Sequence, residues 1–410
     1  MVDRIAIIGA GLAGAKAAQT LREEGFDGSI VLVGAESEVP YERPPLSKGY
    51  LTGAEPFDKA LVHEPAWYTT NRVELRPGTV AASVDPGAHV VALADGASVP
   101  YDRLLLATGA APVRLPIPGA DLAHTLRTKA DSDALRTAFQ PGQRVVLIGG
   151  GWIGLELASA AVGAGCEVTV VEQAAVPLAA ALGPEVAGVF AQEHQRHGVQ
   201  LLTGVTAERI TDSWVVVAGD EMPADVVVSA VGARPVTGLA EAAGLSVDNG
   251  IVVDAALRAS APDIYAAGDV ASAFHPRYGR HLRVEHWDNA AQQGPAAARS
   301  MLGQPVAYDR TPYFYTDQYD LGMEYVGWVP PDVDAHAVLR GDIEGRSFQA
   351  FWLVPQTGGG DRPTVAAAMH VNMWDDGADP LRRLVESDAG VDPVVLADAD
   401  APLSAATIDG

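Results

Sequence analysis

The stretch Arg4-Ile-Ala-Ile-Ile-Gly9-Ala-Gly11-Leu-Ala-Gly14 decides the fold of this chain. An apolar run leads directly into the spacing Gly-x-Gly-x-x-Gly, and a helix-favouring segment follows from Ala15 to Glu24. A strand that meets a glycine turn and a helix N-terminus suits a pyrophosphate, because the backbone can approach the phosphates and unpaired N–H groups face the anion. The stretch therefore predicts a dinucleotide-binding unit.

An acidic residue at the expected distance supports this prediction. A second apolar run, Ser29–Gly34, leads to Glu36, and 36 − 14 gives 22 residues after the last glycine. A carboxylate at this point meets a ribose 2′-hydroxyl in dinucleotide-binding folds. Glycine-rich turns are common and a lone one is weak evidence, but strand, helix and acid together favour a bound dinucleotide.

Composition restricts the class of protein. At 410 residues the chain is too long for one ordinary core, so two or three domains are expected. The only cysteine is Cys166, which leaves no disulfide framework, no CxxC pair and no thiolate-held cluster. No apolar stretch reaches membrane-spanning length without glycine or charge, and the first strand starts almost at once. We expect a cytoplasmic protein without a membrane partner.

The net charge of −24 disfavours nucleic acid and anionic membranes as bulk partners. Solubility is the simpler interpretation of so acidic a surface. The histidines show no metal-ligand spacing, so no metal site is predicted.

The same pattern then occurs a second time. Arg144-Val-Val-Leu-Ile-Gly149-Gly-Gly151-Trp-Ile-Gly154 predicts another strand, turn and helix, and the strand that follows ends at Glu172. Ala224–Pro235 resembles Leu105–Pro112, and the offsets are similar: 149 − 9 = 140 and 232 − 109 = 123. A whole nucleotide-binding unit is therefore repeated. Two dinucleotides in one chain most simply mean a flavin and a nicotinamide.

Three other segments carry candidate site residues. Val39–Lys48 contains two consecutive prolines with Arg43 and Lys48, which favours a stiff loop holding cations near the first nucleotide site rather than a solvated loop. Ser260–Val270 predicts a short strand that ends in Gly268-Asp269, at the sheet edge where α/β folds bind ligands. In the last hundred residues Gly358–Gly360 predicts a flexible hairpin, and Asp388–Asp400 an acidic surface tail.

Five stretches occur here in a fixed order: Gly9–Gly14, Arg43-Pro-Pro-Leu-Ser-Lys48, Gly149–Glu156, Ala266–Asp269 and Pro312–Gln318. Together they resemble the NADH-dependent ferredoxin reductases of bacterial oxygenase systems, of the putidaredoxin reductase and biphenyl dioxygenase reductase type. The resemblance spans nearly the whole chain. Tyr313 and Tyr315 stand where this family often has tryptophan, and Gly358–Arg362 is longer than usual, so the redox partner is the feature most open to difference.

The resemblance implies an α/β fold class with two Rossmann-like dinucleotide-binding domains, for FAD and NAD, and a C-terminal α+β domain. Residues 1–113 and 242–311 would form the FAD domain, 114–241 an inserted NAD domain, and 312–410 the C-terminal domain. It implies FAD and NADH as cofactors and a small iron–sulfur protein as partner. The oligomeric state, monomer or homodimer, stays open.

By that resemblance FAD would contact Ala13, Glu36, Lys48, Val80, Arg127, Asp269 and Trp287. The motifs complete the candidate cofactor-binding set, which adds Gly9, Gly11, Leu12, Gly14, Arg43, Ala107, Thr108, Gly109, Gly268, Glu285, His286 and Ala290, and, in the second half-repeat, Gly149, Gly151, Ile153, Gly154, Glu156, Glu172 and Gly232.

Lys48 and Glu156 are the catalytic candidates. Hydride transfer from NADH to a flavin leaves negative charge on the ring, and a nearby cation stabilises it. Family members pair the lysine that matches Lys48 with the glutamate that matches Glu156. Glu156 could instead be a simple acid in the first turn of a helix, favoured by the dipole, and Trp287 could be a core residue.

Alternatives to a ferredoxin reductase remain: a rubredoxin reductase, a general NADH:acceptor flavoprotein, or a redox-sensing flavoprotein of the apoptosis-inducing-factor kind. A thiol reductase would need a cysteine beside the flavin, and Tyr41–Lys48 contains none. Glu172, 18 residues after Gly154, predicts NADH over NADPH. The run His275–Arg283, with Arg277, Arg280 and no acid, is a candidate docking patch that Arg310 could extend, unless these arginines pair with the protein's own carboxylates.

Overall fold

The computed structural model describes residues 2–356 and 362–407, which form two compact units. The first comprises Met1–Pro45, Gly53–Pro112 and Ala233–Arg310; the second comprises Leu46–Thr52, Val113–Gly232 and Thr311–Gly410. The hairpin predicted at Gly358–Gly360 lies outside the described residues. The division into three domains stays a prediction.

The first unit is built on a five-stranded parallel sheet. Its order is Ile264–Ala266, Arg103–Leu106, Arg4–Ile8, Ser29–Val33 and Val73–Arg76. Apart from the edge strand Val73–Arg76, the strands are short and mostly apolar runs that are buried on both faces, as is usual for parallel sheets. Their carboxyl ends therefore share one edge, and the first glycine turn and Gly268 both follow strands of this sheet.

Two helices of the first unit pack closely against each other. Leu12–Glu23 follows the first glycine turn, and Trp287–Met301 lies against it. A side chain at Gly294 would stand 2.3 Å from the Ala13 carbonyl oxygen, so only glycine allows this approach. The remaining elements of the unit are Phe57–Ala60, Pro65–Thr70 and Gly238–Ala242, the antiparallel sheet Ala81–Asp85, Val90–Leu93 and Ser98–Pro100, the pair Ala110–Pro112 and Ala233–Pro235, and the sheet Ile251–Val253, Ala271–His275 and Arg280–Leu282.

The second unit contains a four-stranded parallel sheet. Its order is Gln200–Thr203, Glu167–Glu172, Arg144–Ile148 and Val226–Ser229. The helix Trp152–Gly163 follows the second glycine turn, as predicted. The neighbouring elements are Pro44–Ser47, which leads into Gly49–Thr52, then Ala120–Leu122, Lys129–Ala138, Ala179–Arg196 and the antiparallel sheet Ala207–Ile210, Trp214–Val217 and Asp220–Pro223.

The repeat extends to one ion pair at the start of each parallel sheet. Arg4 opens the first strand and binds Asp102 at 2.7 Å, and Arg144 opens the equivalent strand and binds Asp225 at 2.6 Å. Each aspartate also accepts the backbone N–H of its arginine at 2.9 Å. The hydrogen bond from the arginine lowers the carboxyl pKa to about 2 in both pairs.

The same unit carries a five-stranded antiparallel sheet in the order Tyr313–Gln318, Leu321–Gly327, Thr364–Val371, Ser347–Val354 and His336–Asp342. The helices Asp379–Ser387, Pro393–Ala397 and Leu403–Ala406 complete it. The prediction of an acidic surface tail at Asp388–Asp400 was right only for its acids: Asp388, Asp398 and Asp400 are exposed, but Val391 and Leu396 are fully buried in an apolar cluster, so the segment is packed on the unit. Within the described part of the chain, no helix is both long and apolar enough to cross a membrane.

Candidate cofactor and redox site

The first glycine turn has the geometry that a pyrophosphate needs. Gly9 has φ +115°, and a Cβ there would stand 2.0 Å from the Ala107 carbonyl oxygen. A Cβ at Gly14 would stand 2.1 Å from the Gly9 carbonyl oxygen, whereas nothing lies within 4 Å of a Cβ at Gly11. Gly11 precedes a helix with no side-chain cap. Free N–H groups and open space at the middle glycine suit an anion.

The acid predicted for the first nucleotide is held by side chains. Arg43 binds the Glu36 carboxylate at 2.5 Å, and the Tyr41 hydroxyl donates a hydrogen bond to the same carboxylate. The Arg43 guanidinium also lies over the Tyr41 ring, 4.7 Å from its centroid. Glu36 is therefore fixed in orientation and largely neutralised.

Other first-unit candidates lie close to this turn. A Cβ at Gly268 would stand 3.1 Å from the Ala13 side chain and 3.9 Å from that of Ala290, so these three positions come together. Gln293 accepts the Gly268 N–H at 2.9 Å and fixes the loop that leads to Asp269. Further candidates border the turn: Leu12 begins the helix, and the Ala107 N–H donates to Ile8.

The candidates beyond the turn are more dispersed. Trp287 begins its helix and is 37% exposed, so it is not a core residue. Its indole hydrogen-bonds to Glu42, whose pKa burial raises. His286 is the N-cap of this helix, and Val80 is exposed. The other candidates here are Glu285, paired with Arg283, Thr108, whose hydroxyl donates to the Val236 carbonyl at 2.7 Å, and Gly109, which has a positive φ.

The second glycine turn repeats the geometry of the first. Gly149 has φ +105°, and a Cβ there would stand 2.5 Å from the Ala230 carbonyl oxygen. A Cβ at Gly154 would stand 2.1 Å from the Gly149 carbonyl oxygen, and one at Gly151 would meet nothing within 4 Å. This helix also begins without a side-chain cap, next to the exposed Ile153. A second diphosphate fits here by the same reasoning.

The backbone holds the acid of the second turn. One Glu172 carboxylate oxygen accepts the Gly150 N–H and the other accepts the Ala174 N–H, both at 2.7 Å. These two bonds fix the carboxylate at the end of its strand without adding a positive charge. Glu172 therefore keeps acceptor capacity for two ribose hydroxyls.

Lys48 and Glu156 form a buried ion pair in the second unit. The ammonium lies 2.7 Å from the carboxylate, with the side chains 19% and 4% exposed. Ser47 and Thr316 also donate hydroxyl hydrogen bonds to Glu156, the latter at 2.6 Å. Lys48 lies 5.5 Å from the Tyr315 ring centroid. Glu156 is the fifth residue of its helix, one position past the first turn, which does not favour the alternative of a simple helix-start acid. Its catalytic role stays a prediction.

Two further candidates belong to the second unit. The Arg127 N–H donates to Asp131 at 3.0 Å, next to the helix Lys129–Ala138. Gly232 has φ +104° and accepts the Val113 N–H at 2.9 Å. Among the described residues, no group of three or more His, Cys, Asp or Glu side chains could hold a metal ion.

The basic run is smaller than the sequence indicates. Arg283 pairs with Glu285, and Arg310 makes a two-point ion pair with Asp288 at 2.6 and 2.7 Å. For these two arginines the alternative of internal pairing is the correct one. Arg277 lies in the turn between Ala271–His275 and Arg280–Leu282, and Arg280 begins the second of these strands; the docking role of both stays a prediction.

Sequence reasoning missed the residues that hold Glu156 from the C-terminal strand. Thr316 and Gln318 lie in a segment used only for its resemblance, and no role was assigned to either. Their spacing of two within a strand places them on one face, which could have suggested a shared function. His194, which contacts Gln318, gives no comparable pattern.

Two glycine turns with their acids, together with a buried lysine–glutamate pair, define a class: a flavoprotein oxidoreductase that uses a pyridine nucleotide. Comparisons with known proteins agree. Residues 3–294 match the family "Pyridine nucleotide-disulphide oxidoreductase", and residues 313–407 match "Reductase C-terminal". The chain belongs to the pyridine nucleotide-disulphide oxidoreductase family, among the relatives named ferredoxin–NAD(+) reductases.

Three relatives illustrate the similarity. The chain is 43% identical over 406 residues to the anthranilate 1,2-dioxygenase system ferredoxin–NAD(+) reductase component of Burkholderia cepacia, covering 97% of each protein. It is 40% identical over 351 residues to the biphenyl dioxygenase system counterpart of Paraburkholderia xenovorans, covering 84% of this chain and 85% of that protein. The reductase in a crystal structure of the covalent putidaredoxin reductase–putidaredoxin complex is 34% identical, with a TM-score of 0.91 over 98% of this chain and 99% of that one.

These findings confirm several predictions made from the sequence. The fold class is α/β with dinucleotide-binding domains and a C-terminal reductase domain. The protein is an oxidoreductase whose cofactors are FAD and NAD(H). The site residues are not tested by them and stay predictions.

Proposed function

We propose that this protein is an NADH-dependent ferredoxin reductase. It takes a hydride from NADH and passes single electrons to a small iron–sulfur protein that serves an oxygenase, such as a cytochrome P450 or a Rieske dioxygenase. The observation that carries the proposal is a buried Lys48–Glu156 pair in a chain with two nucleotide turns and one cysteine. A single cysteine cannot form the dithiol that the family name describes, so electrons must leave to an external acceptor.

FAD supplies the ability to accept two electrons together and release them one at a time. In this proposal the residues of the chain bind and orient. The two glycine turns hold the diphosphates, Glu36 binds the flavin-side ribose and Glu172 the ribose of NADH. The remaining candidate contacts named above stay assigned to the same two nucleotides.

Lys48 has the electrostatic role. A fixed ammonium stabilises negative charge that develops beside it, and a cation that is already held in place costs no reorganisation when the charge arrives. Glu156 and the hydroxyls of Ser47 and Thr316 keep the pair in one geometry. The N–H groups at the start of the helix Trp287–Met301 would supply a second positive end for the flavin.

An anaerobic reoxidation experiment tests the proposal. The purified holoprotein is reduced with one equivalent of NADH until the flavin absorbance bleaches, and oxidised candidate acceptors are then added. Rapid reoxidation by a [2Fe–2S] ferredoxin, at least tenfold faster than by a rubredoxin, is expected. Faster reoxidation by rubredoxin would favour the rubredoxin reductase alternative, and equal, slow rates with both would favour a general NADH:acceptor flavoprotein.

Two controls address the other expectations. A DNA-retardation assay should show no shifted band, because a net charge of −24 opposes nucleic acid; a specific shift would favour the redox-sensing alternative. A cytoplasmic location is proposed because NADH is supplied there, and fractionation of the source cells would test it. The oligomeric state is read from the same sample by light scattering.

A further inference from the structure

A chain of buried polar side chains extends from Glu156 through the second unit. Thr316 donates to Glu156 at 2.6 Å, and Gln318 Nε2 lies 3.3 Å from the Thr316 hydroxyl. Gln318 Oε1 lies 2.9 Å from His194 Nε2, and His194 Nδ1 lies 3.1 Å from the Tyr319 hydroxyl. Thr316, Gln318 and His194 are at most 1% exposed. So many buried polar groups in one line need a reason, because each one must be satisfied.

The ionised state of Glu156 determines the direction of every bond in this chain. A carboxylate only accepts, and Glu156 receives Lys48, Ser47 and Thr316. The Thr316 hydroxyl therefore donates its proton to Glu156, and its oxygen must accept a hydrogen bond from the Gln318 amino group. Gln318 then presents its amino group to Thr316 and its carbonyl oxygen to His194.

The same logic continues through the imidazole ring. Burial lowers the pKa of His194, whose titratable neighbours are His197 and Glu193, so the ring carries one proton. Because Gln318 offers an oxygen, that proton lies on Nε2. Nδ1 must then accept from the Tyr319 hydroxyl. All four bonds point toward Glu156, and donors aligned in one direction polarise one another.

Tyr319 is held in an unfavourable backbone conformation at the far end of the chain. Its φ is +58°, a left-handed value that bulky side chains rarely adopt. Three contacts hold it there: its hydroxyl on His194, its N–H on Ser159 at 2.8 Å, and its ring stacked on His197 at 3.7 Å. Strain of this kind persists where the surroundings determine the geometry.

We propose that Thr316, Gln318, His194 and Tyr319 are positioning residues: they form a one-way chain of hydrogen-bond donors that holds the Glu156 carboxylate, and through it the Lys48 ammonium, in place for hydride transfer. The part of this inference that concerns hydride transfer rests on the proposed role of Lys48. The direction of the chain does not, so the two are tested separately.

The first test determines the direction of the hydrogen bonds in this chain from the tautomer of His194. Long-range ¹H–¹⁵N spectra of the oxidised holoprotein, labelled on histidine, report which ring nitrogen of His194 carries the proton, and a His194→Gln variant identifies the signals. We expect a single Nε2–H tautomer. A wild-type Nδ1–H tautomer would overturn the proposal, because Gln318 would then turn its carbonyl oxygen toward a threonine oxygen that has no proton left to donate.

The second test breaks the chain next to Glu156. Thr316→Val keeps the shape and removes the hydroxyl, whereas Thr316→Ser keeps it. Flavin reduction by NADH in single turnover should slow about tenfold in the valine variant, the scale of one hydrogen bond to a charged group, and stay within about twofold in the serine variant. The affinity for NADH should not change, and the valine variant should show both His194 tautomers.

Thr311 provides a matched control, since it is 1% exposed and donates to Glu386 at 2.7 Å in the same unit. Thr311→Val should change neither the His194 tautomer nor the reduction rate. If Thr316→Val reduces the flavin as fast as Thr311→Val, the chain has no part in hydride transfer and the proposal fails. Should the valine variant not fold, Tyr319→Phe removes the first donor, and mixed His194 tautomers with slower flavin reduction are expected; an unchanged tautomer and rate would overturn the proposal.

Discussion

The two glycine turns of this molecule have the same backbone conformation, but the acids that follow them, Glu36 and Glu172, have different partners. At both turns a side chain on the first glycine would collide with a carbonyl of a neighbouring loop, while the middle glycine faces open space. Glu36, after the first turn, is bound by the Arg43 guanidinium and the Tyr41 hydroxyl. Glu172, after the second, receives backbone N–H groups from Gly150 and Ala174. In the second unit the cation, Lys48, is paired with Glu156 and not with the acid that follows the turn.

The difference shows which part of a repeat is constrained. The backbone of the turn follows from steric limits that any diphosphate site imposes, so both copies keep it. The partners of each acid are free to diverge with the task. An acid neutralised by arginine suits a nucleotide that stays bound, and an acid with undiminished negative charge can select between nucleotides that exchange.

Removal of Lys48 should have the largest effect, because it takes away the cation that is paired with the helix after the second glycine turn. Lys48→Met should slow NADH-driven flavin reduction by roughly ten- to a thousandfold, as expected on losing a preorganised charge. The FAD content should stay near normal, because the first turn is intact. Stopped-flow absorbance under anaerobic conditions measures the rate.

Lys129 supplies the control for this variant, because it pairs with Asp133 at the same 2.7 Å distance in the same unit. Lys129→Met should be reduced at the wild-type rate. A Lys48→Met protein that binds FAD and is reduced as fast as this control would demote Lys48 to a loop residue.

Substitution of the middle glycines should separate the two nucleotides. A methyl group at Gly11 or Gly151 meets no protein atom, so the fold should tolerate it, but it would occupy the space left for the phosphates. Gly11→Ala should weaken FAD binding at least roughly tenfold, about 1.4 kcal/mol, and leave the KM for NADH unchanged in reconstituted protein. Gly151→Ala should raise the KM for NADH and retain FAD. If either variant affected both nucleotides equally, the assignment of one turn to each would be wrong.

The features that were predictable from the sequence are local ones. Gly9, Gly14 and Glu36 lie within one strand–turn–helix–strand segment, and steric rules link their spacing directly to structure. The second copy was found in the same way, through Gly149 and Glu172. These predictions depended on no contact between distant parts of the chain.

Long-range partners were not predictable in this way. Glu156 and Thr316 are 160 residues apart, and Gln318 and His194 are 124 apart. No periodicity relates such positions, so only the fold reveals them. The pairing of Lys48 with Glu156 was expected from resemblance rather than from physics. The packing of Asp388–Asp400 was not predicted, because the prediction rested on the acidic residues of this segment and ignored Val391 and Leu396, which are buried.

The acid of the second turn should set the preference for NADH. The Glu172 carboxylate accepts ribose hydroxyls and repels a 2′-phosphate, and neither Gln173 nor Ala174 offers a compensating cation. We expect kcat/KM for NADH to exceed that for NADPH at least roughly tenfold, about 1.4 kcal/mol. Glu172→Gln should reduce this ratio, while Glu36→Gln in the first turn should leave it unchanged. Equal kcat/KM values in the wild type would contradict the prediction.

Charge reversal in the hairpin of the first unit should have a smaller effect, on partner association alone. Arg277 lies in its turn and Arg280 begins its second strand, in a strongly acidic chain, and docking arginines steer encounter with an acidic partner. Arg277→Glu with Arg280→Glu should lower ferredoxin reduction severalfold at low salt and leave flavin reduction by NADH unchanged. The difference should vanish as the Debye length falls from ~30 to ~8 Å. Arg136→Glu with Arg209→Glu makes the same charge change on exposed arginines of the second unit; if both pairs slow the ferredoxin equally, only net charge matters.

The smallest effect concerns the ion pairs that open the two parallel sheets. Asp102 and Asp225 have folded pKa values of about 2, below the unfolded value of about 3.9. A lowered pKa contributes stability that is present above pH ~4 and is lost as the pH falls toward 2. Both pairs are exposed to solvent, which screens them, so each should contribute little to stability. Asp102→Asn and Asp225→Asn should therefore each flatten the fall in unfolding free energy between pH 4 and 2, measured by urea titration. Because the two pairs share their geometry, the two flattenings should be equal. If one variant kept the wild-type pH dependence, the two copies of the repeat would differ in the ion pair at the start of the sheet, as they already differ in the partners of Glu36 and Glu172.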